Sequence, residues 1–255
     1  MKEQQFSNIM GQIDDCLLER AESSESRLSS RSRRLKWGAL AASLALAVLI
    51  AVPTVNDLNN RIQLGDRSSG VKAKYTAGNV YSVSSESMLI ALSEEELFTY
   101  FETAIFEGTI KKLDNIVLNF NGHTMPRALA EIRVEQVYRG DLKAGDTAVI
   151  LLPCNVGNGV WVEDTDTVVA MRKGMRGIFM PMVYDSDSTF EANGATLYLE
   201  EIADFGFPDG ARYAFLDSGS APIFDKWAYP SLEGVTSFDE IRDFVIEMIE
   251  KTTVE

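Results

Sequence analysis

Apolar and polar residues alternate with a period of two along much of the chain after about residue 100, which is typical of half-buried strands. The clearest case runs from Ala130 to Glu135, where apolar and charged side chains alternate. Pro181 lies inside another apolar run and predicts an edge strand or a bulge, because proline cannot donate to a sheet. The further predicted strands, separated by residues that favour turns, are 104–110, 115–120, 147–152, 159–163, 177–183, 195–201 and 212–216.

Two helices are predicted at the ends of this region by capping boxes, in which a serine caps the helix and a glutamate three residues later bonds back to it. The first box is SEEE at residues 93–96, and its helix is predicted to end near Phe101. The second is SFDE at residues 237–240. It precedes an apolar helical face made of Ile241, Phe244, Val245, Met248 and Ile249. We therefore predict a mainly β domain at residues 76–255, a small barrel or sandwich with flanking helices.

A long uncharged stretch lies nearer the N-terminus, at residues 37–56. A helix of about 20 residues spans about 30 Å, the hydrocarbon thickness of a bilayer. Cations precede the stretch while acids and amides follow it, which places the N-terminus in the cytoplasm and the C-terminal domain outside. The predicted membrane-interface residues are Arg31, Arg33, Arg34, Lys36 and Trp37. We predict a single-pass transmembrane helix in the cell membrane, with the lipid bilayer as its partner.

Two other interpretations of residues 37–56 compete with an anchor. A core helix of a soluble protein rarely stays free of charge for so long. Ala45-Leu46-Ala47 has the small residues of a signal-peptidase site, but cleavage near Ala47 leaves a short apolar region behind a long leader. No cysteine directly follows the stretch, which argues against a lipoprotein.

Residues 1–22 are predicted to form a cytoplasmic amphipathic helix whose apolar side chains recur at steps of three and four. This predicted partner-binding stripe consists of Phe6, Ile9, Met10, Ile13 and Leu17. Such a helix has no core of its own, so it either docks on a protein or lies on the membrane surface. Residues 23–36 are predicted to be a basic juxtamembrane linker rich in Ser and Arg. Residues 57–75 are predicted to be a polar extracellular stalk.

Composition and charge narrow the possible functions. The formal net charge is −14, and almost all of it follows the apolar stretch. Such a field repels nucleic acid, whose phosphates require Lys and Arg, so we predict no nucleic-acid partner. The two cysteines, Cys16 and Cys154, lie on opposite sides of the apolar stretch and offer neither a disulfide framework nor metal-ligand spacing. No cofactor and no metal are predicted.

Candidate catalytic residues are few. Asp217-Ser218-Gly219-Ser220 matches the short motif of aspartic proteases, but that chemistry needs a second aspartate and no second copy occurs. A turn at a strand end is the alternative, because Asp, Ser and Gly all favour turns. His123 is the only histidine, and no nucleophile motif accompanies it. Cys154 ends an apolar run and is interpreted as a buried thiol. We therefore predict a protein that is not an enzyme.

Three charged segments allow binding hypotheses. The acidic loops at residues 163–166 and 185–187 offer oxygens to calcium, although neither has the spacing of an EF-hand. Solvated loops are the simpler interpretation. The basic cluster at residues 172–176 either meets an anionic polymer or offsets nearby acids.

The segments IFEGTIKKLDN and ALAEIRVEQVYRGDLKAGDTAVI resemble the opening hairpins of the OB-like barrel in netrin-like and metalloproteinase-inhibitor-type modules. Gly108, Arg139-Gly140-Asp141 and Gly145-Asp146 match the glycine-containing strand and the two Gly-Asp turns of that pattern. The match covers a short part of the chain and lacks the cysteines of the animal modules. It implies an OB-like barrel and no protease inhibition.

The whole layout is similar to that of uncharacterised bacterial single-pass proteins with a cytosolic helix, a basic juxtamembrane run and an extracellular β domain. Anti-sigma regulators share this layout, although the His and Cys zinc motif of one anti-sigma class is absent. The resemblance implies that residues 1–22 bind a cytosolic regulatory protein and that the extracellular domain binds a ligand. Two other hypotheses are a surface-tethered binding module without signalling and an envelope hydrolase that uses Asp217.

Overall fold

The structure is a computed structural model that describes residues 60–77, 90–157 and 164–253. These residues belong to one compact unit, residues 57–255. The strands among them are β1 (Arg61–Ile62), β2 (Val71–Tyr75), β3 (Ile105–Phe120), β4 (His123–Arg139), β5 (Thr147–Leu152), β6 (Arg176–Phe179), β7 (Met182–Val183), β8 (Thr189–Ala192), β9 (Ala195–Tyr198), β10 (Phe205–Gly206), β11 (Ala214–Asp217) and β12 (Pro222–Ile223). The helices are α1 (Glu94–Thr99), α2 (Asp166–Ala170) and α3 (Phe238–Thr253), with short 3-10 helices at Leu199–Glu201 and Pro230–Leu232.

Ten of the strands form one sheet that curls into a half-barrel. Its order is β12-β11-β6-β3-β4-β5-β10-β7, and β2 pairs with the far half of β3 while β1 pairs with β2. Strands β5 and β10 run parallel, whereas the other pairs are antiparallel. Strands β8 and β9 form a separate hairpin. The domain is therefore mainly β, as the alternating pattern predicts.

The long hairpin of β3 and β4 lies at the centre of the sheet. Asn121 and Gly122 turn the chain with φ angles of 48° and 98°, and positive φ at both positions is the geometry of a tight hairpin turn. The sequence predicted two strands, 104–110 and 115–120, where the structure has the single strand β3. The polar residues between them stay paired with β4 through a register shift between Ile110 and Lys112, so they do not end the strand.

The main core lies on the inner side of the curled sheet. In β4 every second side chain faces it, and the buried positions are Ala128, Ala130, Ile132 and Val134. Helices α1 and α3 cover this core together, since the rings of Phe98 and Phe244 meet edge to face with centroids 6.2 Å apart. The burial of apolar side chains in this core is the main stabilising contribution in a domain of this size.

Both predicted flanking helices are present, and both capping boxes are confirmed. The Ser93 hydroxyl accepts from the Glu96 amide at 3.3 Å, and the Ser237 hydroxyl accepts from the Glu240 amide at 3.3 Å. Helix α1 ends at Thr99, slightly earlier than predicted. The predicted apolar face of α3 packs against the core through Ile241, Phe244, Val245, Met248 and Ile249.

A second, smaller core lies on the outer side of β3, β4 and β5, beneath the β8–β9 hairpin. Leu129 and Leu151 face this core, whereas their neighbours in the strands face the main one. The two hairpin tips are joined by asparagines: Asn121 Nδ2 donates to Asn193 O at 3.2 Å, and Asn193 Nδ2 donates to Asn121 O at 2.9 Å. The outer face of these strands is thus covered by the chain itself.

The prediction of a polar stalk at residues 57–75 is wrong for its later part. Val71–Tyr75 form β2, which pairs with Ile116–Phe120 of β3. Ala73 is only 3% exposed because it faces the second core. The segment VKAKY alternates apolar and basic residues, which is the period of a strand, although polar residues precede it. The domain therefore begins before residue 76.

Other boundaries also differ from the predictions. Pro181 predicted an edge strand or a bulge. The structure divides the run there, with β6 ending at Phe179 and β7 beginning at Met182, and β7 stands last in the order of the sheet. The run at 195–201 is a strand only to Tyr198, after which the chain forms a 3-10 helix. The run at 159–163 lies outside the described residues.

In the described part of the chain, no helix has the length and apolar character needed to cross a bilayer. The predicted amphipathic helix at residues 1–22, the linker at 23–36 and the transmembrane helix at 37–56 all lie outside that part. They stay predictions from the sequence.

Candidate functional site

A cavity of about 560 Å³ lies between α1, the residues that lead into β3, and the turn that follows β4. Its volume is within the range of about 300–1,000 Å³ that small-molecule sites occupy. Strands β7 and β10 each contribute one side chain to its wall. The apolar side chains that line it are Phe98, Phe101, Ala104, Leu142, Val183 and Phe205.

Arg139, the last residue of β4, is the one cation among the described residues that line this cavity. Its Nε donates to Thr103 O at 3.1 Å, its Nη1 donates to Phe98 O at 2.8 Å, and its Nη2 donates to the Thr103 hydroxyl. Burial lowers the pKa of Arg139, yet a guanidinium in a protein stays protonated. No ion pair links Arg139 to a carboxylate of the described residues. Arg139 is thus a cation with which no described carboxylate forms an ion pair, although Glu102 and Asp141 also line the cavity.

The cavity wall is positioned by packed elements. Gly140 follows Arg139 with a φ of +105°, and a Cβ at this position would come within 3.2 Å of the Ala104 Cβ. The turn therefore lies close against the chain that enters β3. On the other side, Leu97 and Phe98 are fully buried and fix α1 to the core. Both sides of the cavity are therefore held by packing within the domain.

Besides Arg139, the polar side chains of the described cavity lining are two carboxylates and two threonine hydroxyls. Glu102 and Asp141 are exposed residues of its lining. The Thr99 hydroxyl donates to Glu95 O at 3.1 Å, and the Thr103 hydroxyl accepts from Arg139. No His or Cys stands among the described lining residues.

A second polar cluster centres on Glu107 in β3, whose side chain is 1% exposed. The Tyr138 hydroxyl donates to Glu107 Oε2 at 2.7 Å, Arg242 Nε donates to the same oxygen at 2.9 Å, and Arg176 forms an ion pair with Oε1. Burial raises the pKa of Glu107, but the hydrogen bonds from Arg242 and Tyr138 and the charge of Arg176 outweigh burial and lower it overall. The cluster joins α3, β4 and β6 to β3.

The ionised state of Glu107 is expected to make stability depend on pH. Its pKa in the folded protein is below the unfolded value of about 4.3. Its contribution is therefore fully present above that value and is lost as the pH falls through the folded pKa. We expect the free energy of unfolding in urea to fall less steeply below about pH 4.3 in Glu107→Gln than in the wild-type protein. Identical slopes in acid would contradict this assignment.

Asp217 ends β11 and begins a turn. Its Oδ1 accepts from the Gly219 amide at 2.8 Å, and the chain then returns as β12. A polar cavity of about 290 Å³ beside the turn is also lined by Asp239. The Asp239 carboxylate accepts from Arg242 at 2.5 Å. Each carboxylate has its own donor, unlike the proton-sharing pair of an aspartic protease, so the geometry favours the turn interpretation.

The lone histidine and the described cysteine lie apart from the cavity beside α1. His123 is exposed at the start of β4, directly after the hairpin turn. Cys154 is 4% exposed, and burial raises the pKa of its thiol although contacts with Thr165 and Arg127 act in the opposite direction. The prediction of a buried thiol at Cys154 is confirmed. Cys16 lies outside the described residues.

Charged side chains in the loop at 185–187 and in the basic cluster at 172–176 form hydrogen bonds and ion pairs within the domain. Among the described residues, no group of three or more His, Cys, Asp or Glu side chains is placed to hold a metal ion. In the loop at 185–187, the Asp185 carboxylate accepts from the Ser188 hydroxyl at 2.8 Å and so closes a turn. In the basic cluster, Arg172 donates to Val169 O at 2.6 Å and Arg176 pairs with Glu107. The described arginines of the basic cluster are thus engaged within the domain.

The predicted partner-binding and membrane-interface residues lie outside the described residues. They are Phe6, Ile9, Met10, Ile13, Leu17, Arg31, Arg33, Arg34, Lys36 and Trp37. From the sequence, Arg139 is predicted only as part of a turn, and no role is predicted for Glu107. In the sequence, the only indication of a role for Arg139 is its position at the end of an alternating strand. A side chain at a strand end can reach into the space between neighbouring strands and helices.

Comparisons of the chain with protein-family models, with curated proteins and with solved structures find no match. Function is therefore inferred from the cavity and from the sequence pattern.

Proposed function

We propose that the chain is a single-pass membrane protein whose outer β domain is a binding module without catalytic activity. The outer domain binds a ligand or envelope component, and the cytoplasmic helix at residues 1–22 holds a regulatory partner in an anti-sigma-like manner. The observation that supports a ligand site in the outer domain is the cavity beside α1, which has largely apolar walls and one cation, Arg139, that is paired with no carboxylate of the described residues. A largely apolar pocket with few polar groups is the usual form of a ligand site.

We also propose that the half-barrel has OB-like topology. Strands β3, β4 and β5 form a meander, β5 runs parallel to β10, and β10 pairs with β7. A bridge between Thr103 and Met182 links β7 back to the chain that enters β3. This order supports a five-stranded Greek-key barrel of the OB kind, in agreement with the resemblance to netrin-like modules.

The cavity is a better candidate for the ligand site than the outer face of the sheet. OB folds commonly bind their ligands on the face of the second and third strands. The corresponding strands here are β4 and β5, and their outer face packs beneath the β8–β9 hairpin with Leu129 and Leu151 each 7% exposed. Because the β8–β9 hairpin already covers this outer face, little of its area is left for a ligand.

The membrane half of the proposal is supported by the sequence. Residues 37–56 are uncharged, basic residues precede them, and an amphipathic stripe lies further towards the N-terminus. A helix with one apolar stripe and no core of its own is suited to docking on another protein.

Replacement of both Ile13 and Leu17 by Glu in the full chain is expected to abolish the capture of a cytosolic protein. Two charges in the stripe would place carboxylates in the apolar contact, which is strongly unfavourable. The measurement is a cross-linked pull-down from the native cells. The matched control is the double substitution Gln4→Glu and Asn8→Glu, which puts the same charge on the opposite face of the predicted helix.

If the control captures the cytosolic protein and the Ile13/Leu17 variant does not, the signalling proposal is supported. If capture is the same in both variants, the cytoplasmic half of the proposal is wrong. The chain is then better described as a surface-tethered binding module whose tail only orients the anchor.

A further inference from the structure

We infer that the cavity beside α1 accepts a straight-chain apolar molecule that ends in a single carboxylate, with Arg139 binding the carboxylate and the aromatic wall holding the chain. The inference rests on the proposed function only in taking this cavity as the ligand site of the outer domain. It adds the chemical class of the ligand.

The head group follows from the hydrogen bonds of Arg139. A guanidinium has five N–H donors. One is used by Thr103 O, one by Phe98 O and one by the Thr103 hydroxyl. One N–H on each terminal nitrogen is left to donate to a ligand oxygen, and a charge-assisted hydrogen bond of this kind is stronger than a neutral one. The partners that the protein supplies are neutral oxygens, so the positive charge itself is not compensated.

The charge of the ligand follows from burial. Burial lowers the pKa of Arg139, and no acidic neighbour acts in the opposite direction. A ligand carboxylate would supply the missing counter-charge at a place where water is partly excluded and ion pairs are stronger than in water. The exposed acidic side chains Glu102 and Asp141 also line the cavity and repel any anion. One ligand carboxylate therefore gains only through its direct contact with Arg139, and a second carboxylate without such a contact would add repulsion alone.

The apolar tail of the ligand is inferred from the aromatic and aliphatic side chains that line the cavity. Phe98, Phe101 and Phe205 line the cavity together with Leu142 and Val183. Val183 is 45% exposed, so an apolar chain in the cavity would cover surface that now faces water. Each buried methylene is worth about 0.8 kcal/mol, which corresponds to a roughly fourfold gain in affinity.

The test is isothermal titration of the full chain in lipid nanodiscs with hexanoate, octanoate and decanoate, and with decanol and decylamine as the neutral and cationic counterparts. Empty nanodiscs of the same lipid correct for partition into the bilayer. We expect affinity to rise about fourfold per added methylene among the carboxylates. Decanoate should bind at least about tenfold more tightly than decanol or decylamine.

Two variants assign the binding to the cavity. Arg139→Gln is expected to weaken decanoate binding about 10- to 100-fold and to remove the preference for decanoate over decanol. Val183→Trp fills the cavity from an exposed position and should abolish binding of both. The matched control is Arg133→Gln, an exposed arginine of the same strand β4, which should bind decanoate as the wild-type protein does.

Three results would overturn the inference: no binding of decanoate, equal binding of decanoate and decanol by the wild-type chain, or tighter binding of decylamine. These comparisons hold even if Arg139→Gln fails to fold, because they use the wild-type chain. The proposed function is tested separately. Partner capture that depends on Ile13 and Leu17, together with no decanoate binding, would leave the signalling proposal standing and overturn the ligand class alone.

Discussion

Glu107→Ala is expected to lower the free energy of unfolding by about 2–4 kcal/mol, measured by urea denaturation at neutral pH and followed by circular dichroism. The substitution leaves the Tyr138 hydroxyl and the Arg242 guanidinium without their common acceptor. Arg242 is only 22% exposed, so water replaces the lost carboxylate poorly. Arg176 is 46% exposed and recovers most of its hydration, which limits its share of the loss.

Glu135→Ala is the matched control for this prediction. Glu135 contacts the same arginine, with Arg176 Nε 3.4 Å from its Oε2, and it also accepts from the Thr109 hydroxyl at 2.5 Å. Its side chain is 40% exposed, and exposed pairs are worth less than about 1 kcal/mol. Equal losses in the two variants would show that burial of Glu107 contributes nothing, and the role assigned to the cluster would be wrong.

Local patterns predicted much of the fold. The capping boxes at residues 93–96 and 237–240 and the apolar face of α3 were read from the spacing of a few side chains, and the structure has them in place. The run at 147–152 coincides with β5. These features depend on neighbours within about one or two helical turns, so the sequence of each segment contains the relevant interactions.

Segments whose role depends on distant contacts were predicted less well. Residues Val71–Tyr75 are polar enough to resemble a stalk, yet they pair with β3, which is far along the chain. Glu107 lies where two register shifts, between Ile105 and Phe106 and between Glu107 and Gly108, interrupt the alternation of β3. It is buried among side chains from distant parts of the chain, of which Arg242 lies 135 positions later. No local pattern contains that information.

The candidate site shows the same division. The turn at Arg139-Gly140-Asp141 was recognised from its residues, and Gly140 has the positive φ that a tight turn requires. The cavity beside it is formed by α1, by this turn, and by single residues of β7 and β10. These elements are distant in the sequence and meet only when the half-barrel closes. The sequence therefore predicted the turn itself but not the cavity that the turn helps to line.

Gly108→Ala is expected to destabilise the domain by about 2–4 kcal/mol, because a side chain has no space at this position. A Cβ on Gly108 would lie 2.4 Å from the Arg133 carbonyl oxygen and 2.9 Å from Ile132 Cγ2. Neither neighbour is free to move, since Gly108 is paired on both sides, with Val134 of β4 and with Gly177 of β6. Urea denaturation of the purified variant measures the loss.

Gly174→Ala separates this steric effect from the loss of glycine's backbone freedom. Gly174 has a φ of +86° and nothing within 4 Å of its Cβ position, so alanine there costs about 1–2 kcal/mol through the left-handed backbone alone. Gly108 has no positive φ, and its cost must come from the close approach of the strands. A loss at Gly108 no larger than at Gly174 would mean that β3 and β4 separate easily at the register shift between Glu107 and Gly108. The glycine that matches the netrin-like pattern would then have a role other than strand packing.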